Sequence, residues 1–251
     1  MSGDVVDPVE ETRRILDAAQ DAGVALRAIG GVAVAMRAPS IRFVSPTRMY
    51  HDIDLVGRAP RAPIERLLAD LGYAASKRFN TLNGSERLLF HDASGRRIDV
   101  FLDVLRMCHQ LPFGDRLVVA SSTLPAADLL LSKLQIVELT DRDADDVAAL
   151  LADHELTDDD AGIGLRRIAA VCGTDWGWWK TVDLNLGRLI DLWGADIDGS
   201  TSERSLALGT AVARAASLRA GLTTIPTTVS WRLRAIIGER MRWYDEPEEI
   251  R

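Results

Sequence analysis

The residue pattern of this chain changes from strand-like to helical between residues 121 and 125, and this change limits the folds that the chain can adopt. Segments with the apolar runs and alternation of strands lie before residue 121, whereas apolar positions from 125 onward recur with helical spacing. All six tryptophans follow position 175. This order predicts an α+β protein, with a mixed β-sheet and flanking helices in residues 1–121 and a helical domain in residues 122–251.

Turn and cap residues divide each half into elements. Asp7 and Pro8 form a helix-start pair, so a helix is predicted over 8–22 that ends at Gly23. The other elements predicted in the first half are a strand over 24–29, a helix over 32–37, a strand over 52–56, a helix over 62–71, a hairpin of strands 87–91 and 97–104, and a strand over 117–120. In the second half, helices are predicted over 125–139, 143–153, 158–172, 176–193, 203–219 and 227–244.

An acidic composition of ordinary hydrophobicity excludes several classes of protein. The 251 residues carry a formal net charge of −7, which argues against a protein that coats DNA. No run of about 18 residues is apolar throughout, so no membrane span is expected. The N-terminus lacks the basic-then-apolar order of a signal peptide, and Cys108 and Cys172 show no CxxC spacing. We therefore expect a cytoplasmic protein whose cysteines are inert packing residues.

Three aspartates in the first half are the candidates for chemistry. Asp52 and Asp54 are two residues apart on a predicted strand, so both side chains point to one face. Asp99 lies on a predicted neighbouring strand and could add a third carboxylate. Carboxylates held this close repel each other unless a cation lies between them, and oxygen ligands favour Mg²⁺ or Mn²⁺. Such a site suits in-line attack on a phosphate.

A diglycine precedes the acidic pair and supplies a second part of the candidate site. Gly30 and Gly31 end one predicted strand and open a helix. Backbone N–H groups at such a turn, together with the helix dipole, can hold the phosphates of a nucleoside triphosphate (NTP).

The D-x-D pattern is weak by itself, because it occurs five times in the chain. Only the pair at 52 and 54 combines a strand with an upstream glycine turn; the pair at 196 and 198 is the nearest rival. Asp103 is an alternative to Asp99 as the third carboxylate, although it falls near the end of the strand. His51 points away from the acidic pair by alternation, which indicates a structural role.

These residues together resemble the DNA polymerase β-type nucleotidyltransferase superfamily. The resemblance rests on the segments 28–33 (AIGGVA) and 48–55 (RMYHDIDL), followed by Asp99. The diglycine and the arginine before the acidic pair are similar to the abortive-infection (AbiE-type) nucleotidyltransferase toxins. Two helical segments, 124–134 and 142–150, extend the resemblance, which then covers residues 24–150.

The resemblance implies a role for each candidate residue. Asp52, Asp54 and Asp99 would bind the metal, and Gly30, Gly31 and Arg48 would bind the nucleotide. Lys133 would contact the triphosphate, and Asp146 would support the acceptor site. The residues alone leave a solvated lysine and a solvated helix start as the alternatives for the last two positions.

Other basic and aromatic residues have two interpretations each. Arg37, Arg42, Arg48 and Arg87 could form a basic rim for a triphosphate or for RNA, although each alone is typical of a surface charge. The helical spacing of the tryptophans predicts packing between helices, with a stacking platform for a nucleotide base as the alternative.

The sequence therefore predicts a Mg²⁺-dependent nucleotidyltransferase that moves an NMP from an NTP to an acceptor hydroxyl and releases pyrophosphate. By resemblance, the acceptor would be tRNA, another RNA or a protein, and a cognate antitoxin would be a partner. An antibiotic nucleotidyltransferase acting on an aminoglycoside or a lincosamide is the alternative enzyme. A non-catalytic nucleotide-binding partner protein is the alternative of another class.

Overall fold

The computed structural model describes residues 7–246. Its strands are β1 (Leu26–Ile29), β2 (Ile53–Gly57), β3 (Ala74–Ala75), β4 (Arg87–His91), β5 (Arg97–Leu102), β6 (Val104–Arg106), β7 (Gln110–Pro112), β8 (Leu156–Thr157) and β9 (Ile163–Gly164). Its helices are α1 (Pro8–Asp21), α2 (Gly30–Arg37), α3 (Ile41–Val44), α4 (Ala62–Asp70), α5 (Lys77–Asn83), α6 (Ala126–Leu134), α7 (Asp141–Asp153), α8 (Leu165–Cys172), α9 (Trp176–Asp196), α10 (Glu203–Gly221) and α11 (Val229–Ile237). This is an α+β protein with a mixed sheet and a helical C-terminal region, which confirms the predicted fold class.

The main sheet has five strands in the order β1-β2-β5-β4-β3. The β2–β5 pair is parallel, and the other pairs are antiparallel. Parallel neighbours need a long connection, and here it contains α4, β3, α5 and β4. The predicted hairpin is present as β4 and β5, and Asp92 caps its turn by accepting hydrogen bonds from the backbone N–H groups of Ser94 and Arg96.

One face of this sheet is apolar because side chains alternate along each strand. Leu55, Val100 and Phe90, from β2, β5 and β4, are almost completely buried on that face. The register that pairs Leu55 with Val100 also determines which residues share the opposite face. The sheet is therefore anchored through its apolar face, and its other face is polar at several positions.

The cap of α1 follows from the sequence. The Asp7 carboxylate accepts hydrogen bonds from the backbone N–H groups of Val9 and Glu10, and Pro8 occupies the first turn. The helix ends at Asp21, just before Gly23, whose φ of +66° suits glycine.

The predicted strand over 117–120 is wrong. Residues Gly114–Val118 form a 3₁₀ helix. The backbone of β1 instead pairs a few residues later in the chain, where the Ala28 N–H donates to the Ser122 carbonyl and the Leu124 N–H donates to the Ala28 carbonyl. The apolar residues of 117–120 have a strand-like pattern, but β1 makes its hydrogen bonds with residues 122–124 instead.

The Cα positions cluster into two compact units. The first comprises Met1–Arg37, Arg48–Leu105 and Pro112–Leu124, and the second comprises Ala38–Thr47, Arg106–Leu111 and Pro125–Arg251. The chain passes finally into the second unit after Leu124, three residues beyond the predicted end of the first domain at residue 121. Two short earlier segments, which the sequence division places in the first domain, also cluster with the second unit.

In the second unit, α9 contacts α6, α8, α10 and α11. Trp176, Trp178 and Trp193 of α9 are buried, and the ring of Trp179 meets that of Trp231 edge-on at 5.5 Å. The Trp231 Nε1–H donates to the Cys172 carbonyl. Trp179 and Trp231 therefore pack between α9 and α11, as the sequence predicted for the tryptophans.

Several boundaries in the second unit differ from the predicted ones. The helix predicted over 158–172 begins only at Leu165, because residues 156–164 form the short β8–β9 pair. The helix predicted over 227–244 ends at Ile237, where Gly238 adopts a φ of +59°. Within residues 7–246, no helix combines the length and the apolar character needed to cross a bilayer.

The second unit buries one histidine in an apolar setting. His109 is 5% exposed, its Nε2 lies 2.8 Å from Thr181 Oγ1, and its ring packs on Trp178 at 5.0 Å. Burial lowers the pKa of His109 to about 4. The pKa of histidine in an unfolded chain is about 6.5, so as the pH falls the unfolded state binds a proton at this residue before the folded state does.

We therefore predict that His109 makes folding sensitive to mild acid. Between pH 7 and pH 5 the free energy of unfolding should fall by roughly 2 kcal/mol more in the wild type than in the His109→Gln variant. Urea unfolding curves at the two pH values measure this difference. Equal losses in the two proteins would show that the buried imidazole does not carry the effect.

Candidate active site

The strand-to-helix turn between β1 and α2 lies against the acidic pair. Gly30 begins α2 with a φ of +72°, and a Cβ atom at this position would overlap Oδ2 of Asp54. A Cβ atom on Gly31 would lie 2.8 Å from Nη2 of Arg48 and 3.3 Å from the ring of Tyr50. Glycine at both positions therefore lets the turn approach the Asp54 carboxylate and the Arg48 guanidinium.

The sheet register places two of the predicted carboxylates side by side. Asp54 of β2 is the Cα partner of Asp99 of β5, and it also pairs with Ile29 at the end of β1. Paired residues of neighbouring strands share a face, so both carboxylates lie on the polar face. Asp52 immediately precedes β2 and belongs to the same face by alternation. We call Asp52, Asp54 and Asp99 the acidic face.

Asp52 and Asp99 each contact an arginine, and the pair at Asp52 is exposed. Arg97 of β5 donates from Nη2 to Oδ2 of Asp52 over 2.7 Å, and the two side chains are 37% and 40% exposed. An ion pair so accessible to water contributes only about 0–1 kcal/mol. Asp52 is therefore accessible, and Arg97 can be displaced from it at little cost.

The second pair is buried. Arg87 of β4 donates from Nε to Oδ1 and from Nη2 to Oδ2 of Asp99, over 2.6 and 2.5 Å. The Asp99 side chain is 1% exposed, and the ring of Phe101 lies 4.6 Å from the guanidinium carbon of Arg87. A two-point contact of this kind fixes both partners in orientation as well as in distance.

The donor set fits a divalent cation at Asp52 and Asp54. Both are oxygen ligands of the kind that Mg²⁺ and Mn²⁺ prefer, and the ion pair of Asp52 with Arg97 is exposed. Asp99 fits less well, because Arg87 already contacts both of its oxygens. Within residues 7–246 no group of three or more His, Cys, Asp or Glu side chains is arranged to hold a metal ion.

The alternative third carboxylate, Asp103, lies far from the acidic pair. It follows the end of β5 with a φ of +60°, four residues beyond Asp99, which is about 13 Å along a strand. Its Oδ2 accepts a long hydrogen bond of 3.4 Å from the Ala59 backbone N–H. The register therefore favours Asp99 over Asp103 as the neighbour of Asp54.

The remaining arginines of the predicted basic rim divide between the units. Arg48 lies in the first unit, with its guanidinium carbon 5.5 Å from the centre of the Tyr50 ring, beside Gly31. Arg37, also in the first unit, donates to Thr123 Oγ1 over 3.2 Å. Arg42 belongs to the second unit, where it lies over the ring of Phe43. Arg48 is the rim residue that adjoins the glycine turn.

Lys133 and Asp146 meet in the second unit. The Lys133 Nζ lies 2.9 Å from Asp146 Oδ2 and 3.0 Å from Asp143 Oδ1. Burial lowers the pKa of Lys133, but attraction to Asp146 and Asp143 outweighs burial and holds that pKa above its usual value. Asp146 is completely buried, so neither residue is the solvated side chain that the sequence left open. Their roles toward triphosphate and acceptor stay predictions.

Arg97 is not among the site residues that the sequence predicts, and Arg87 is predicted only as a charge of the basic rim. Arg97 stands two residues before Asp99, so alternation already places both on one face. The partner of Arg97 could not be identified from the sequence, because it depends on the parallel register between β2 and β5.

Comparisons with known proteins found no matching family model and no matching curated protein. Among solved structures, the chain is similar to the crystal structure of JHP933 from Helicobacter pylori, with 12% sequence identity and a TM-score of 0.38. The match covers 90% of this chain and 95% of that one. A likeness this distant carries no argument about function.

We predict that Gly30→Ala destabilises the protein more than Gly23→Ala does. Both glycines have a positive φ, but a Cβ on Gly23 would meet nothing within 4 Å, whereas one on Gly30 would overlap Asp54. Gly23→Ala should cost about 1–2 kcal/mol for the left-handed conformation alone. Gly30→Ala should cost at least about 1 kcal/mol more, because Asp54 has to move. Urea unfolding measures both, and equal losses would contradict the close approach of Gly30 to Asp54.

We also predict that Lys133 is required for folding of the second unit. Lys133→Met removes the cation that contacts the buried Asp146 carboxylate, which should cost about 3–5 kcal/mol. Lys180→Met is the matched control, because Lys180 pairs with Glu239, whose side chain is 60% exposed, and should cost about 0–1 kcal/mol. Thermal and urea unfolding of the two variants compare these costs. A Lys133→Met variant as stable as the control would contradict this structural role.

Proposed function

We propose that this chain is a Mg²⁺-dependent nucleotidyltransferase. The observation that carries the proposal is the close approach of the strand-to-helix turn at Gly30 to the Asp54 carboxylate, which shares one face of the sheet with Asp52. A pair of carboxylates next to backbone N–H groups at a helix start supplies the two things that a cation-bound polyphosphate needs.

Asp52 and Asp54 would hold the cation. When bound, the cation would neutralise charge on the phosphates and favour attack by the acceptor oxygen. Gly30 and Gly31 would direct backbone N–H groups of the first turn of α2 at the phosphates, and the helix dipole adds partial positive charge there. Arg48, beside Gly31, would add a guanidinium at the same turn.

The reaction would be an in-line displacement at the α-phosphorus of the NTP. A bond forms between the acceptor hydroxyl oxygen and the α-phosphorus, and the bond from that phosphorus to the bridging oxygen breaks. Pyrophosphate leaves with that oxygen, and the hydroxyl proton passes to solvent or to a carboxylate of the acidic face. The contribution of this chain is to orient the triphosphate and to compensate its charge.

The acceptor is proposed by class. By the resemblance of residues 24–150, an RNA 3′ end, with tRNA first, or a protein hydroxyl would receive the NMP, in a toxin that pairs with an antitoxin. The hydroxyl of an aminoglycoside or a lincosamide is the alternative acceptor on the same core.

A second candidate function has its own supporting observation. Arg97 contacts Asp52, and Arg87 contacts Asp99, so protein cations already compensate part of the acidic face. A protein that binds a nucleotide without transferring it could keep this arrangement permanently. Metal-dependent transfer distinguishes the two functions.

We predict label transfer from one α-labelled NTP in the presence of Mg²⁺. The protein is incubated with each NTP and, in separate reactions, with total tRNA, with no added acceptor, and with an aminoglycoside and lincosamide mixture. Asp52→Asn and Asp54→Asn should each lower the rate at least about a hundredfold, since a bound cation contributes several kcal/mol to such a transition state. Asp70→Asn, at an exposed position of α4, is the matched control and should leave the rate unchanged.

The acceptor pool that becomes labelled identifies the acceptor class. Transfer that persists at the wild-type rate in both Asn variants would exclude Asp52 and Asp54 as cation ligands. Saturable NTP binding without transfer to any pool would favour the non-catalytic function.

A further inference from the structure

We infer that Arg87 is a phosphate-binding residue of this site and that Asp99 is the buried anchor that positions it, rather than a third metal ligand. That the ligand of Arg87 is a phosphate rests on the proposed function. The anchoring rests on the contacts of the two side chains, which are independent of any reaction.

The contacts of Asp99 favour an anchor over a ligand. Both of its oxygens accept hydrogen bonds from Arg87, and its side chain is 1% exposed. A cation that took Asp99 as a ligand would have to compete with this guanidinium inside the protein. Asp52 differs, because its contact with Arg97 joins two side chains that are 37% and 40% exposed and is therefore easily lost.

The contacts of Arg87 leave donors for a ligand. Its Nε and one N–H of Nη2 are directed at Asp99. In the part of the chain that the structure describes, Nη1 of Arg87 donates to no protein atom. This nitrogen is accessible to solvent, because the buried side-chain atoms that lack a hydrogen-bond partner do not include it. The Arg87 side chain is 23% exposed, so the Nη1 donors remain accessible on a guanidinium that Asp99 and Phe101 hold in place.

A guanidinium held in this way is suited to a phosphate. Its remaining N–H groups are planar and directed, and little conformational entropy remains to be lost on binding. Arg87 lies on β4, Asp99 on β5 and Asp54 on β2, and the register of these strands puts all three residues on one face of the sheet. A polyphosphate whose cation is held by Asp52 and Asp54 would extend across β5 toward Arg87.

The two roles of Asp99 predict different couplings. If Asp99 acts only through Arg87, removing both residues should weaken phosphate binding no more than removing Arg87 alone. If Asp99 binds the cation itself, the two losses should add. A purely structural pair would change the melting temperature of the protein and leave phosphate binding unchanged.

The experiment measures binding of inorganic tripolyphosphate, in the presence of Mg²⁺, by calorimetry. The variants are Arg87→Gln, Asp99→Asn and their combination, with Arg66→Gln at an exposed position of α4 as the matched control. Arg87→Gln and Asp99→Asn should each weaken binding about tenfold or more, as expected for a charge-assisted contact. The double variant should lie within about threefold of Arg87→Gln, and Arg66→Gln should match the wild type.

Cation binding is measured separately, with Mn²⁺ alone, by electron paramagnetic resonance. Asp52→Asn should weaken Mn²⁺ binding strongly, whereas Asp99→Asn should leave it within about threefold of the wild type. If Asp99→Asn unfolds the protein, Arg87→Lys replaces it. That variant keeps the charge but loses the two-point contact, and it should bind tripolyphosphate more weakly than the wild type while binding Mn²⁺ normally.

The inference is overturned if Asp99→Asn weakens Mn²⁺ binding as much as Asp52→Asn does. It is also overturned if Arg87→Gln or, where it is needed, Arg87→Lys binds tripolyphosphate as tightly as the wild type, or if the two single losses add. If the wild type transfers label but Arg87→Gln binds tripolyphosphate normally, the proposed function stands and this inference fails. If the wild type transfers no label but Arg87→Gln loses tripolyphosphate binding, this inference stands and the proposed function fails.

Discussion

The parallel pairing of β2 with β5 is the constraint on which the candidate site depends. It brings Asp54 and Asp99 into register from segments about forty residues apart, and it brings Arg97 beside Asp52. Neighbouring strands lie about 4.8 Å apart, so two carboxylates in register on one face have to be compensated by positive charge. The apolar opposite face holds β2 in the sheet. On the polar face, Arg97 and Arg87 compensate the negative charges of Asp52 and Asp99.

The protein balances those charges in two different ways. At Asp52 the compensating arginine is exposed and makes one contact, so the interaction is weak and exchangeable. At Asp99 the arginine makes two contacts to a buried carboxylate, so the pair is fixed. The accessible end of the acidic face is therefore suited to an incoming cation, and the buried end is suited to holding a protein cation in place.

The local parts of this arrangement could be predicted from the sequence. The Asp7 cap, the turn at Gly30 and the hairpin around Asp92 each depend on residues a few positions apart, and the structure has all three. The long-range parts could not be predicted, because the contacts of Arg97 and Lys133 depend on how distant segments pair. The predicted strand over 117–120 shows the same limit, since the backbone bonds of β1 are made by residues 122–124 instead.

We propose that a nucleotide binds at the acidic face with its cation on Asp52 and Asp54. A crystal structure of the protein with Mn²⁺ and a non-hydrolysable NTP analogue tests it most directly. We expect anomalous density for Mn²⁺ between the Asp52 and Asp54 carboxylates, phosphates at the turn of Gly30 and Gly31, and Arg87 still paired with Asp99. Cation and phosphates bound elsewhere on the protein, or no density for either at saturating ligand, would contradict it.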